Sequence, residues 1–413
     1  DNKPDLIISY IHLLQFAYSH DPNIVSKISK PSYDISQTFL HLNHDAQREL
    51  NIFNKNKPSI FSIINKTNTK FGERRLKYRL FHPIFCEEKL NTRYDNISLF
   101  LKNYKFIKKQ ICNVIDIEKY FRKLYIHELP PNYLCSMNNS FKIISSLLQS
   151  HNNNFGITDE IINNWQSFYL YYTHHFNLDV MEEISDFKTS FFNTGIFTNI
   201  DNLNKIITSI KSSFNHISTM LENEKGVAVT LQPDHTYKTT KKAWDSIKNE
   251  FRQIKLSIGK QEVVCKLSDF KNIESDKKNY VRLESEIVKS LVYNLSEYED
   301  QISNLIKEKY YQLCDYIQSN FGNIIQTVIE IVSEIDISVC GAQIATTLKY
   351  TKPTITKSTK SFVCAKNIRH PIIEQINDDS EYIPNDINLN NLLLFGLNSS
   401  GKSSLLRSDG FID

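Results

Sequence analysis

Glycine is scarce, at 10 of 413 residues, and no proline falls between Pro233 and Pro353. With so few chain-bending residues, most of the sequence reads as helix, with prolines 31, 58, 83, 130 and 131 punctuating the first part. The seven cysteines (Cys86, Cys112, Cys135, Cys265, Cys314, Cys340, Cys364) stand far apart, with no C-x-x-C pair and no H-E-x-x-H. That argues against metal and disulfide frameworks and for reduced, mostly buried thiols in an intracellular protein. Apolar runs fall short of the ~20 residues of a membrane span, so no membrane partner is expected. A net charge of +3 does not announce nucleic-acid binding, and any such contact must come from local clustering. Repeats of roughly 20–50 residues are also missing. The chain starts at Asp1 without a methionine, so the lack of a leader says little.

What is present is long-range organisation. At 413 residues, two or three domains and a substantial core are expected. Ile287, Leu291, Leu295, Tyr298, Ile302, Leu305, Tyr310, Leu313, Ile317, Phe321, Ile324, Val328 and Ile331 recur at steps of three and four. They form one stripe of a helix near ~50 residues, or about 75 Å. Gly322 interrupts it at a cost of ~1 kcal/mol. Such a helix needs a partner, and the natural one runs around Ile200 to Leu221. Between the two, Gly226 to Leu231 and Leu256 to Leu267 are β-branched and alternating, which predicts strands of a small insertion at the tip of two arms. The chain alternates again from Tyr350 onward, as the opening of an α/β domain.

Near the end, the apolar run Leu392 to Phe395 predicts a buried strand, followed at once by Gly396, Gly401, Lys402 and Ser403 in the spacing G-x-x-x-x-G-K-[ST]. Backbone N–H groups of such a loop can point at phosphates. Lys402 would reach the β- and γ-phosphates, and the Ser403 hydroxyl would hold Mg²⁺. The expected cofactors are therefore ATP and Mg²⁺.

Several further segments resemble one family. Thr69, Gly72, Arg74, Leu76, Leu80 and Pro83 resemble the T-x-x-G-x-R-x-L signature of the MutS core with its following leucine and proline, and Arg93 and Asp95 its R-x-D. Asp116, Glu118, Lys119 and Arg122 are similar to its D-[LI]-E-R…R helix, and Glu297-Tyr298-Glu299 to its returning lever helix. Arg369-His370-Pro371 and Glu374 resemble G-R-H-P-[VI]-x-E, and Tyr382 to Asp386 resembles F-V-P-N-D. In the loop, Gly-Leu-Asn-Ser-Ser-Gly-Lys-Ser-Ser stands for the family's G-P-N-M-G-G-K-S-T.

The resemblance implies a mainly α fold: a small β-containing clamp insertion between two long lever helices, then the opening of an α/β P-loop ATPase domain. It divides the chain into core and lever (1–190), lever helix and DNA clamp (191–286), returning lever helix (287–350) and the first part of the ATPase domain (351–413). It assigns ATP to Gly396, Leu397, Asn398, Ser399, Ser400, Gly401, Lys402, Ser403 and Ser404, with Tyr382 stacking on adenine. Double-stranded DNA is assigned to Lys238, Thr239, Thr240, Lys241, Lys242 and Lys266 in the clamp, where lysines and hydroxyls would grip phosphates without reading sequence. Thr69 is expected to cap a helix and Gly72 to permit a close approach; His370 is expected to be structural, and Trp244 to pack or to touch DNA.

The implied activity is that of a DNA mismatch repair protein, an ATP-dependent clamp that binds mismatched duplex, dimerises through a later ATPase region and signals downstream repair proteins. A homologue that holds branched recombination intermediates, or a coiled-coil P-loop NTPase outside repair, remain alternatives. The family's acidic Mg²⁺ motif, trans-acting loop and C-terminal helices are not in the sequence, so this stretch alone is not expected to hydrolyse ATP. Phe85-Cys86-Glu87 matches the letters of the mismatch-reading F-x-E but sits in the core segment, where coincidence is the better reading.

Overall fold

The computed structural model describes residues 4–20, 22–25, 28, 39–40, 42–222, 229–232, 236–258, 261–275, 280–356, 362–376, 382–389, 393–397 and 401–409. Helices dominate. α1 (Pro4–His20) and α2 (Pro22–Val25) precede α3 (His44–Glu49) and α4 (Ile60–Ile64). The body continues through α5 (Lys70–Phe81), α6 (Glu87–Phe100), α7 (Tyr104–Ile111) and α8 (Ile117–Tyr125). It is completed by α9 (Pro131–Ser136), α10 (Asn138–Ser150), α11 (Asp159–His175) and α12 (Leu178–Met181). No helix among the described residues is long and apolar enough to cross a membrane.

Two long helices organise the rest. α13 (Thr198–Leu221) falls where the partner arm is expected, and α15 (Glu286–Leu348) runs 63 residues beside it. Ser285 starts α15, its hydroxyl accepting the Ile287 N–H at 3.3 Å; Lys349 ends it in the left-handed conformation at φ 55°. The helix passes Gly322 without a break. It also exceeds the length its apolar stripe predicts. Beyond Ile331 nearly every side chain from Val332 to Cys340 is buried, because α5, α6 and α7 pack around this end. A helix buried all round carries no single-face periodicity to read.

The body's core is aromatic. Phe141 meets Trp165, Phe168 and Tyr172 edge-on, all essentially inaccessible. Burying each such side chain is worth roughly 1.5–3 kcal/mol. Their polar ends are satisfied: Trp165 Nε1 donates to Ser145 Oγ at 3.0 Å, and the Tyr310 hydroxyl of α15 donates to the Leu129 carbonyl at 2.8 Å.

The insertion between the arms holds β1 (Thr230–Leu231), β2 (Tyr237–Thr240), α14 (Lys241–Ile247), β3 (Gln253–Ile258), β4 (Gln261–Lys266), β5 (Lys271–Ser275) and β6 (Tyr280–Glu284). One antiparallel sheet has the order β1-β2-β6-β5; β3 and β4 form a separate hairpin. The strand expected over Gly226 to Leu231 is confined to β1 among the described residues, and positions 226–228 lie outside them. The expected strand over Leu256 to Leu267 is instead the two arms of the β3–β4 hairpin, Gly259 and Lys260 lying outside the described residues. The insertion is fixed to its arm: the Tyr237 hydroxyl donates to the Phe214 carbonyl at 2.9 Å, and Arg252 donates to the Met220 and Glu222 carbonyls at the end of α13. Trp244 packs in the interior, at 9% exposure.

After α15 come β7 (Val363–Ile368), α16 (Pro371–Ile376), β8 (Asn385–Leu389) and α17 (Lys402–Asp409), with β7 and β8 paired antiparallel. The expected buried strand before Gly396 is not observed: Leu393 and Phe395 are 86% and 87% exposed and belong to no strand, while Leu392 lies outside the described residues. Among the described residues the ladder in this part of the chain consists of β7 and β8 alone.

Candidate functional site

Each residue expected to grip DNA sits on or beside the clamp sheets, but strand alternation divides them. Along β2, Tyr237 and Thr239 point inward while Lys238 and Thr240 point outward. Thr239 is therefore a correction: it is 2% exposed, its hydroxyl has no hydrogen-bond partner, and it cannot present itself to a backbone phosphate. Thr240 caps α14, accepting the Ala243 N–H at 3.2 Å, so its hydroxyl already has a structural role.

Register then adds residues that a contiguous reading misses. Lys238 lies opposite Arg282 and Thr240 opposite Tyr280, so these four share the outer face of the sheet. The Lys238 ammonium stands 4.8 Å from the centre of the Tyr280 ring, a cation–π contact that holds the charge on the surface. Lys241 and Lys242 are exposed at the start of α14. Lys266 is exposed on the separate hairpin, opposite Gln253 and on the same face as the exposed Lys255. The signal that could have found Tyr280 and Arg282 is the alternation of YVRLE, in which Val281 and Leu283 are the buried pair.

At the other end of α15, the glycine-rich loop is described in part. Gly401 adopts φ 86°, a conformation that favours glycine, immediately before α17. Lys402 Nζ donates to the Gly396 carbonyl at 2.7 Å and also to the Leu397 carbonyl, so the lysine folds over its own loop. Ser403 is exposed and Ser404 half-buried; Asn398, Ser399 and Ser400 lie outside the described residues. A left-handed glycine followed by a lysine at a helix start suits a phosphate group. Tyr382 is half-buried just before β8, with no ring contact or hydrogen bond to the loop among the described residues.

The segment carrying this loop is tied to the long helix. Arg369 donates to the Leu348 carbonyl at 2.8 Å and the Lys349 carbonyl at 3.2 Å, bonds Glu374 at 2.5 Å and lies over the Tyr350 ring. A guanidinium there satisfies orphan carbonyls and favours the negative end of the helix dipole. His370 is buried, which pushes its pKa down, and Nδ1 accepts the N–H groups of Ile372 and Ile373 at the start of α16. Asp386 accepts the N–H of Asn367, itself left-handed at φ 55°, across the antiparallel β7–β8 pair. Lys352 pairs with Asp95 at 2.6 Å and Arg407 with Glu49 at 3.1 Å, linking the segment to the helical body.

Within the body, two motifs far apart in sequence meet. Arg74 forks onto Asp116 at 2.7 and 3.0 Å and onto Glu118 at 2.5 and 3.0 Å. Burial alone would raise the Asp116 pKa, but Arg74 outweighs it and the net shift is downward. Asp116 also caps α8 through the Lys119 N–H at 3.3 Å.

A long helix pair carries a small β-rich insertion at one end, and the segment that follows it carries a phosphate-loop spacing. Comparison gives the family: the profile of MutS domain III matches residues 45–342, and the chain belongs to the MutS family. It is 27% identical over 93% of its length to a mutS homolog of Acanthamoeba polyphaga mimivirus, of which it covers 38%. It is 25% identical over 98% of its length to the mitochondrial DNA mismatch repair protein mutS homolog of Sarcophyton glaucum, and 23% over 98% to the DNA mismatch repair protein MutS of Clostridioides difficile, covering 42% of each. The chain thus spans about two fifths of these relatives.

Proposed function

We propose that this chain supplies the core, levers, clamp and P-loop of a DNA mismatch repair protein that binds mismatched duplex DNA and signals repair under control of ATP. The observation that carries this reading is the pairing of two ends. An outward basic face on the clamp sheet lies at one end of one unbroken helix of about 95 Å, and the segment that carries the glycine-rich loop is tied to its other end through Arg369. Residues 1–190 act as core and lever, 191–286 as lever and clamp, 287–350 as the returning lever and 351–413 as the first part of the ATPase domain.

In this reading Lys238, Lys241, Lys242, Lys266 and Arg282 hold the DNA backbone, which positions the protein without reading sequence. Gly396 to Ser404 cradle ATP, Ser403 takes Mg²⁺ and Tyr382 offers an aromatic face to the base. ATP would supply a charge that competes with the Gly396 and Leu397 carbonyls for Lys402. Movement of α17 would then pull on Arg369 and the C-terminal end of α15. Dimerisation and the recruitment of downstream repair proteins belong to the full-length protein.

The test is binding of full-length protein to homoduplex, mismatched and four-way DNA over a salt series. Preference for mismatched duplex supports the proposal, preference for the four-way junction moves the function to branched intermediates, and no binding defeats both. Lys402→Ala should abolish ATP-dependent release while leaving nucleotide-free binding largely intact. Unchanged release would remove the loop as the switch.

A further inference from the structure

The outer face of α7 and the end of α6 carry charge of one sign. From Asn96 to Ile115 the sequence has four lysines and no Asp or Glu, and the stretch of α15 from Ile337 to Lys349 has no carboxylate either. The two regions meet in the fold. Tyr104, Ile107 and Ile111 bury the inner face of α7, and Lys108 Nζ donates to Gln343 Oε1 of α15 at 2.9 Å. Ile97 of α6 packs on Gly341, less than one turn away, where an added Cβ would stand 2.8 Å from Ile97 Cδ1. Lys102, Lys105 and Lys109 are exposed, and none makes a side-chain hydrogen bond or ion pair among the described residues.

The helix gains nothing from two of these charges. Lys102 and Lys105 stand at the N-terminal end of α7, where the helix dipole favours anions, and the first turn holds no acidic residue. Lys105 also lies three and four residues from Lys108 and Lys109, the spacings at which like charges repel. Other helices of the chain set carboxylates beside their lysines, as Glu73 beside Lys70 and Glu299 beside Lys211. Large apolar side chains lie among the charges: Phe106 is 63% exposed, and Leu99 and Leu101 at the end of α6 are 49% and 42% exposed. A nucleic-acid backbone would match the lysines and leave these three uncovered. A peptide that carries both carboxylates and apolar side chains matches both.

We propose that Lys102, Lys105, Lys109 and Phe106 form a docking surface for an acidic, apolar-bearing peptide segment of a partner protein. Carboxylates of the segment neutralise the lysines that the fold leaves unpaired, and its apolar side chains cover Phe106. Gln343, beside this face, lies about 85 Å along α15 from Glu286, so the surface stands apart from the clamp.

The test is selection of a phage-displayed library of random short peptides on the 413-residue chain, with counter-selection on the Lys102→Glu, Lys105→Glu double variant. Enriched peptides should carry several carboxylates and at least one aromatic or branched aliphatic residue. By fluorescence anisotropy they should bind the double variant roughly tenfold or more weakly. Phe106→Ser should weaken them as well, while leaving the salt dependence of binding unchanged. The Tm of the double variant should equal or exceed that of wild type, because both substitutions suit the helix dipole; a structural need for the lysines would lower it and overturn the proposal. No enrichment, enriched peptides without carboxylates, or equal affinity for wild type and double variant would also overturn it. Weaker binding of duplex DNA by the double variant would reassign the face to nucleic acid and overturn it in turn. Peptides that bind the chain but not the full-length protein would mean that the rest of the protein covers the face, which rules out a separate partner.

Discussion

Asp336 and Thr69, 267 positions apart, hold the long helix to the start of α5. Asp336 Oδ2 accepts the Thr69 hydroxyl at 2.7 Å and its N–H at 2.8 Å, while Asn68 donates to the same carboxylate from its N–H and side-chain amide. Thr69 in turn caps α5, accepting the Gly72 N–H at 3.0 Å. Thr69 and Asp336 are both buried, so the carboxylate replaces water for several donors at once.

Asp336→Ala would strand those donors. The expected cost is about 3 kcal/mol or more, read as a lower denaturant midpoint. Gly72→Ala tests the same joint from the other side, since a Cβ would stand 2.7 Å from Thr69 Oγ1 and closer still to the Asp336 carboxylate. Both variants should destabilise, and a Gly72→Ala protein as stable as wild type would contradict the joint.

Arg74, Asp116 and Glu118 predict a pH dependence. The folded Asp116 pKa lies below its unfolded value, so its contribution is complete above about pH 5 and fades as pH falls through the folded pKa. Arg74 is 44% exposed, so screening keeps the effect small. The stability gap between wild type and Arg74→Gln, measured by denaturant melts, should be constant near neutrality and narrow below about pH 4.

Thiol reactivity should follow burial. Burial pushes Cys265 and Cys314 up to about 12 and Cys340 to about 11, leaving them protonated and enclosed. Cys112 and Cys364 are exposed. Mass-spectrometric mapping after brief alkylation of the native protein should find label on those two well before the three buried thiols.

Thr239 separates structural from binding roles. Its hydroxyl is buried without a partner, so Thr239→Val should be neutral or slightly stabilising and leave DNA affinity unchanged. Lys238→Ala and Arg282→Ala should each weaken DNA binding and lower the salt slope by about 1.

Those contrasts also show what was legible. The α15 stripe up to Ile331 could be read because one face meets solvent; the end from Val332 to Leu348 could not, because packing surrounds much of it. Asp336 is a lone charge within IDISVC, a clue to a buried partner that does not name Asn68 or Thr69. Arg74 and Asp116 were each visible as motif letters, but their fork depends on how α5 and α8 pack. In the clamp, the run Lys238 to Lys242 looked like one basic patch; the pleat of β2 turns Thr239 inward, and the register brings Arg282 and Tyr280 to Lys238. The loop's spacing was plain, whereas the apolar run before it forms no strand among the described residues, because an apolar run shows a preference for burial but not whether a neighbouring strand is at hand.

The central claim is that the outer clamp face holds the DNA backbone. Its most direct test is the slope of log affinity against log salt for full-length protein on a duplex, compared with the Lys238→Ala, Lys241→Ala, Lys242→Ala triple variant. The account predicts a slope shallower by about 2.7, at about 0.9 for each phosphate no longer neutralised, with the fold unchanged. An identical slope in the two proteins would contradict it.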